Sequence, residues 1–169
     1  MNIYIKDNFC TIYKLKLHQL QQILCTHGHT TVDTFKKADI VISGVCAAFE
    51  ADEDRSVSIM NQNASAHLPH YTIGCLVSVN PARLNTDYSY RTWEFAKLAR
   101  DLTGIDLEDF DDAPLPSSFR TREDYRIFNP KRRFVGVTTG CGFECSYCPH
   151  RIGAGSVKSR PIHIITADI

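Results

Sequence analysis

Strand-like and helix-like segments alternate along residues 2–102, and this alternation limits the chain to a parallel sheet covered by helices. We predict strands at 2–6, 39–44 and 71–77, and helices at 11–25, 53–66 and 91–102. The strand at 39–44 is apolar enough to be buried on both faces, as central parallel strands are. Connections of this kind are right-handed crossovers. The sequence therefore predicts an α/β domain built on a parallel sheet.

Apolar residues at helical spacing indicate which positions the first and last of these helices bury. Glycines after each helix, Gly28 and Gly104, predict where the helices end. The expected buried positions are Leu15, Leu20, Leu24, Trp93, Ala96 and Ala99.

An acidic run with nearby prolines predicts a domain boundary after the last of these helices. We place the first domain at 1–112, a linker at 113–130 and the start of a second domain at 131–169. A buried strand over 133–140, ending in a glycine turn, is expected to open that second domain.

Composition limits the functional classes. Lys and Arg together number 19 and Asp and Glu together number 19, so the sequence has no global basic footprint for nucleic acid, which leaves open an RNA substrate held by another domain. No apolar run reaches the length of a membrane span. The chain starts directly with strand-like alternation at Asn2, so we expect no targeting peptide. Seven cysteines without a secretory signal favour a reducing, cytoplasmic setting and metal ligation.

Three cysteines with C-x-x-x-C-x-x-C spacing, Cys141, Cys145 and Cys148, lie on a predicted loop directly after the strand at 133–140. Three thiolates are one short of the four that usually hold an iron–sulfur cluster, so one iron would stay open. A zinc site is an alternative, with His150 as a fourth ligand. A disulfide fits poorly, because three is an odd set.

The strand, the loop and the spacing together resemble the cluster loop of radical S-adenosylmethionine (SAM) enzymes. The resemblance implies that Cys141, Cys145 and Cys148 hold a 4Fe–4S cluster whose free iron chelates SAM. It also implies that Tyr147, one residue before the last cysteine, lies near the adenine.

A second set of cysteines follows the predicted strands. Cys10 and Cys46 come after the first two strands, and Cys75 lies at the end of the third. Parallel strands place their carboxyl ends at one sheet edge, so these three thiols are expected to meet and to hold a second cluster. The alternative is three separate core cysteines. Cys25 lies inside the first predicted helix and is expected to be a buried small apolar side chain.

With both sets, the chain resembles the methylthiotransferases, which carry three cysteines on a flavodoxin-like domain before a radical-SAM barrel. Matching patterns are Cys46-Ala, Gly74-Cys-Leu, Gly140-Cys, Ser146-Tyr-Cys and Ser159-Arg-Pro. The sequence departs from the family where Tyr13 and Gly142 replace asparagines, and at residues 149–155. These departures leave the ligands in place and indicate a divergent branch.

The resemblance implies two 4Fe–4S clusters and SAM as cofactors, with Cys10, Cys46 and Cys75 holding the auxiliary cluster that delivers sulfur. The implied reaction inserts a methylthio group into an unactivated C–H bond. A tRNA adenosine beside the anticodon is favoured as substrate, and a ribosomal protein or peptide is the alternative. An electron donor such as flavodoxin or ferredoxin is implied, and no membrane partner.

Two rival functions remain open at this stage. One is another radical-SAM enzyme with an auxiliary cluster, and the other is a non-catalytic electron-transfer or scaffold module. Since one strand–loop–helix cannot enclose SAM and substrate, we expect the chain to be a fragment of a larger enzyme.

Overall fold

The computed structural model describes residues 1–106, 110 and 135–167. Within these residues the strands are β1 Asn2–Asp7, β2 Thr30–Val32, β3 Ile40–Val45, β4 His70–Gly74, β5 Tyr88–Tyr90, β6 Thr138–Thr139 and β7 Lys158–Ser159. The α-helices are α1 Thr11–Thr26, α2 Glu50–Ala64, α3 Leu76–Val79, α4 Phe95–Thr103, α5 His150–Ala154 and α6 Ile162–Ala167. Short 3₁₀ turns lie at Phe35–Lys37 and Pro81–Arg83.

The first domain is built on a parallel sheet with the strand order β2-β1-β3-β4-β5. Every neighbouring pair in it is parallel, with Ile5 opposite Ile42 and Ser43 opposite Thr72. This order is that of flavodoxin-like domains, and the α/β prediction is confirmed. Strands β2 and β5, three residues each, were missed because such short edge strands carry little periodicity.

The core forms where the central strands meet the helices. Helix α2 packs against β3, and α1 packs against α4. The expected burial of Leu15, Leu20 and Leu24 is confirmed. The largest fully buried side chains include Ile3, Leu20, Leu24, Ile42, Met60, Ile73, Phe95 and Leu98.

Helix α4 begins later than predicted, and this changes the position of Trp93. The helix starts at Phe95, so Trp93 lies in the β5–α4 connection and is 43% exposed rather than buried. The guanidinium of Arg91 lies 5.6 Å from the centroid of the Trp93 ring. Ala99 is fully buried as expected, Ala96 is half-buried, and Gly104 ends the helix in the left-handed region at φ +74°.

Strand β4 is shorter than the predicted strand at 71–77, with a consequence for Cys75. The strand ends at Gly74, and Cys75 is the residue from which helix α3 starts. Gly74 has φ +144°, a conformation that side chains rarely adopt, so the glycine allows the abrupt change of direction. Cys75 therefore lies at a strand-to-helix turn.

The buried strand predicted over 133–140 is wrong in the part that the structure describes. Within residues 135–140, strand geometry is confined to β6, which pairs antiparallel with β7, and Val137 is 51% exposed. Residues 133 and 134, and the predicted linker at 113–130, lie outside the described residues. Phe110, from the acidic run, is buried and stacks on Phe95 with ring centroids 5.9 Å apart.

None of the helices in the described ranges combines the length and the hydrophobicity that crossing a membrane requires.

We predict that Gly74→Ala destabilises the domain more than Gly28→Ala does. Both glycines have positive φ, but a Cβ on Gly74 would stand 1.9 Å from the carbonyl oxygen of Val45, whereas nothing lies within 4 Å of one on Gly28. Gly28→Ala should cost about 1 kcal/mol of unfolding free energy from strain alone, and Gly74→Ala about 3 kcal/mol or more. Urea denaturation of the metal-free chain measures both, and equal losses would contradict the backbone clash.

Candidate metal centres

Phe9 holds the loop that carries Cys10 over the ends of the central strands. Its ring packs directly on Gly44 and Gly74. A Cβ on either glycine would come within 2.8 Å of a Phe9 ring carbon. The amide of Asn8 donates to the Gly44 carbonyl at 2.9 Å. Cys10 follows immediately and is the residue from which α1 starts. The two glycines thus bring the β1–α1 loop down onto β3 and β4.

Cys46 is held by a serine of helix α2. The Ser56 hydroxyl is fully buried and accepts from the Cys46 amide at 2.8 Å. Its own proton is shared between the carbonyls of Cys46 and Asp52, each 2.8 Å away. The β3–α2 loop is therefore anchored at the cysteine itself.

Cys75 is tied to the neighbouring strand end. Its amide donates to the Val45 carbonyl at 3.0 Å, so the backbones before Cys46 and at Cys75 are directly bonded. Cys46 and Cys75 are both buried, while Cys10 is exposed. Because β1, β3 and β4 are adjacent in the sheet, the three cysteines follow three neighbouring strands.

The three thiols, which we call the strand-end triad, interact with one another. A hydrogen bond with Cys75 lowers the pKa of the Cys46 thiol to about 6. The same hydrogen bond, with burial and the charges of Cys46 and Cys10, raises the pKa of Cys75. The pKa of Cys10 is raised mainly by desolvation and also by the charge of Cys46. The structure therefore brings together the three cysteines that the sequence grouped.

Tyr13 completes the surroundings of the triad. It is buried in the first turn of α1, and its ring centroid lies 5.8 Å from that of Phe9. Burial raises the pKa of Tyr13 to about 12, against a hydrogen bond with Thr92 that lowers it, and the charges of Cys75, Cys10 and Cys46 raise it further. Its hydroxyl is thus neutral and close to all three thiols.

The triad suits a cluster by its chemistry, although its side chains are not arranged as ligands. Among residues 1–106, 110 and 135–167, no group of three His, Cys, Asp or Glu side chains has an arrangement that would hold a metal ion. Three interacting thiols, two of them buried, nevertheless form the soft donor set that iron–sulfur clusters take. The triad therefore fits a cluster in the type of its donor atoms and in the proximity of its three thiols.

The second cysteine set lies on an exposed loop, which we call the C-terminal cysteine loop (residues 141–148). Cys145 and Cys148 are exposed and Cys141 is half-buried. The Cys148 amide donates to the Cys145 carbonyl at 3.2 Å, which closes a turn between them. Glu144 pairs with Arg151 of α5. Three thiols on one short accessible loop are compatible with a cluster.

The remaining predicted site residues lie as follows. Tyr147 is 87% exposed on the C-terminal cysteine loop. His150, the alternative zinc ligand, is exposed at the start of α5. Cys25 is exposed on α1, so the expectation of a buried side chain was wrong: the last turn of the helix turns it away from the core.

Sequence reasoning missed the residues that position the triad, namely Phe9, Ser56 and Thr92. Tyr13 was noted only as a departure from a family pattern. Its spacing of three from Cys10 was the available signal, since residues three apart share a helix face. The Ser56 hydroxyl reaches back ten residues to Cys46, and that of Thr92 reaches 61 residues on to Gly153, so no periodicity of a few residues marks either contact.

A search of protein families found no model that matches this chain. Curated proteins do match it. A tRNA-2-methylthio-N(6)-dimethylallyladenosine synthase from Thermodesulfovibrio yellowstonii is 25% identical over 185 residues, covering 99% of this chain and 41% of the relative. The same enzyme from Sulfurihydrogenibium sp. is 24% identical over 189 residues, covering 100% of this chain and 42% of the relative.

A ribosomal protein uS12 methylthiotransferase, RimO, from Thermosipho melanesiensis is also similar, with 25% identity over 174 residues, 100% of this chain and 40% of the relative. The chain thus spans about two-fifths of the length of the curated relatives it matches. At these identities it is similar to methylthiotransferases of both substrate classes.

We predict that Ser56→Ala loosens the Cys46 loop. Removing a buried hydroxyl that serves both backbone groups of Cys46 should cost about 2 kcal/mol of unfolding free energy. The Cys46 thiol of the metal-free chain should also react faster with a small thiol reagent. Ser65→Ala is the control, because the Ser65 hydroxyl bonds the Gln62 carbonyl at the surface. If both variants behaved alike, Ser56 would not be what holds Cys46.

Proposed function

We propose that this chain is part of a radical-SAM methylthiotransferase and contains the auxiliary-cluster domain and the cluster loop of the radical-SAM domain. One observation carries the proposal: three adjacent parallel strands end in three interacting thiols, and a second three-cysteine loop follows in the same chain. The similarity to methylthiotransferases along nearly the whole chain supports it.

Under this proposal, Cys10, Cys46 and Cys75 hold the auxiliary 4Fe–4S cluster, and Cys141, Cys145 and Cys148 hold the cluster that binds SAM. Bound there, the two clusters and SAM would supply radical generation and the sulfur for a methylthio group. The buried side chains of Phe9 and Tyr13 would exclude water from the triad. Tyr147, exposed beside Cys148, is free to stack on an adenine.

We propose a tRNA adenosine near the anticodon as the substrate, with a ribosomal protein as the second candidate. Relatives named for each substrate match the chain at the same identity, 25%. The reducing cytoplasm would keep the thiols available for iron, and a flavodoxin or ferredoxin would supply electrons. Since the exposed C-terminal cysteine loop is accessible from solvent, an electron donor can approach it.

The first test is cluster assembly. After anaerobic reconstitution of the full-length enzyme we expect iron and acid-labile sulfide at about eight of each per polypeptide. Cys46→Ser or Cys75→Ser should each lower the iron by about four, whereas Cys25→Ser should change nothing. Cys25 is the matched control because it is a cysteine of the same domain that lies outside both sets. Stoichiometric zinc without sulfide would overturn the proposal and favour the zinc alternative with His150.

The second test separates the two cysteine sets in the full-length enzyme. Replacing Cys141, Cys145 and Cys148 by serine should abolish formation of 5′-deoxyadenosine from SAM. The same replacement of Cys10, Cys46 and Cys75 should leave that formation largely intact and abolish methylthio product. Mass spectrometry of both products checks the result, on tRNA and on ribosomal protein substrates. If the variant without the triad still formed methylthio product at normal rates, the auxiliary cluster would not be the sulfur source. The protein would then be a radical-SAM enzyme with another reaction.

A further inference from the structure

We propose that Thr92 is a positioning residue that fixes the C-terminal cysteine loop against the strand-end triad. The inference rests on the proposed function, under which both cysteine sets hold clusters. Thr92 itself belongs to neither set and lies in the β5–α4 connection, 49 residues or more from the cysteines of the C-terminal loop in sequence.

The first contact is a buried hydrogen bond between the two parts of the chain. Thr92 is 1% exposed, and its hydroxyl donates to the Gly153 carbonyl at 2.7 Å. Gly153 lies in the last turn of α5, where carbonyls lack partners within the helix. Thr92 therefore supplies a donor that α5 cannot provide for itself. Losing such a buried donor is costly.

The second contact is a close approach between α5 and the triad. A Cβ on Gly153 would stand 2.9 Å from the Cβ of Cys75 and 3.2 Å from a methyl group of Val79. Gly155, at φ +75°, lies against Trp93, whose ring carbon would be 2.6 Å from a Cβ there. The two glycines thus let the segment lie directly on helix α3 and on the residue after Thr92.

Both ends of the C-terminal cysteine loop are attached to this docked segment. At one end, the Cys141 amide donates to the Gly155 carbonyl at 3.0 Å. At the other end, Cys148 is two residues before the start of α5. Any displacement of residues 153–155 would therefore move Cys141 and Cys148 together.

Thr92 also contacts the triad side. It hydrogen-bonds with Tyr13, whose hydroxyl is close enough to Cys10, Cys46 and Cys75 to interact with their charges. A single buried hydroxyl thus connects the surroundings of one cysteine set to the anchor of the other, and so sets the distance between them.

The test in the metal-free chain is amide hydrogen exchange over residues 141–155. Thr92→Val keeps the shape and removes the hydroxyl, and we expect exchange there to become about tenfold faster. Thr92→Ser, which keeps the hydroxyl, should restore exchange to within about twofold of the wild type. Thr103→Val is the control, since the Thr103 hydroxyl makes a 2.8 Å bond to Ala99 within α4. Unchanged exchange in Thr92→Val overturns the proposal.

A second pair of variants covers the case in which Thr92→Val does not fold. Gly153→Ala should lift α5 from Cys75 and raise exchange over the same residues. Gly142→Ala is its control, because a Cβ there meets only Val157 at 3.4 Å, an ordinary contact. If the amides of residues 141–155 exchange at the same rate in the Gly153→Ala and Gly142→Ala variants, α5 is not docked as proposed.

The magnetic coupling between the two clusters distinguishes a positioning role of Thr92 from a merely structural one. In the reconstituted, reduced full-length enzyme, we expect the spin–spin broadening between the two clusters to weaken in Thr92→Val and to return in Thr92→Ser, at equal iron content. Dipolar coupling falls with the cube of distance, so it reports the separation directly. Equal broadening in all three proteins overturns the proposal. A wild-type full-length enzyme that assembles no second cluster overturns the proposed function instead, and hydrogen exchange then decides the role of Thr92.

Discussion

The contact between the Phe9 ring and the glycines Gly44 and Gly74 is the constraint on which the strand-end triad depends. Side chains at either position would occupy the space of the ring, so the absence of Cβ atoms lets the β1–α1 loop descend onto β3 and β4. Cys10 follows Phe9, and Cys75 follows Gly74. One packing arrangement therefore places two of the three thiols. Ser56 places the third by binding both backbone groups of Cys46.

Collecting three thiols at one sheet edge has electrostatic consequences. The hydrogen bond that lowers the pKa of Cys46 raises that of its partner Cys75, because the pair favours one negative charge over two. A bound cluster would relieve this repulsion, since metal ions stabilise thiolates. The buried, neutral Tyr13 adds a dipole beside the thiols without adding charge. The metal-free site thus favours a single thiolate at Cys46, stabilised by the hydrogen bond with Cys75.

The C-terminal segment contributes little core of its own among the residues described. Its strands β6 and β7 are two residues each, and α6 has no buried residue. It also packs on the first part of the chain, because Gly153 lies against Cys75, Gly155 lies against Trp93, and the Gly153 carbonyl accepts from Thr92. This dependence explains why the position of the C-terminal cysteine loop relative to the triad is governed by side chains of the β5–α4 connection.

The sequence alone determined the α/β class, the main helices and central strands, and the grouping of Cys10, Cys46 and Cys75. These follow from local periodicity and from the rule that parallel strands share a carboxyl edge. Tertiary structure alone decided the short edge strands, the exposure of Trp93 and Cys25, and the shift of Cys75 from strand to turn. It also decided the roles of Phe9, Ser56 and Thr92. Those depend on glycine close approaches and hydrogen bonds between distant segments, and a periodicity of a few residues contains no record of such contacts.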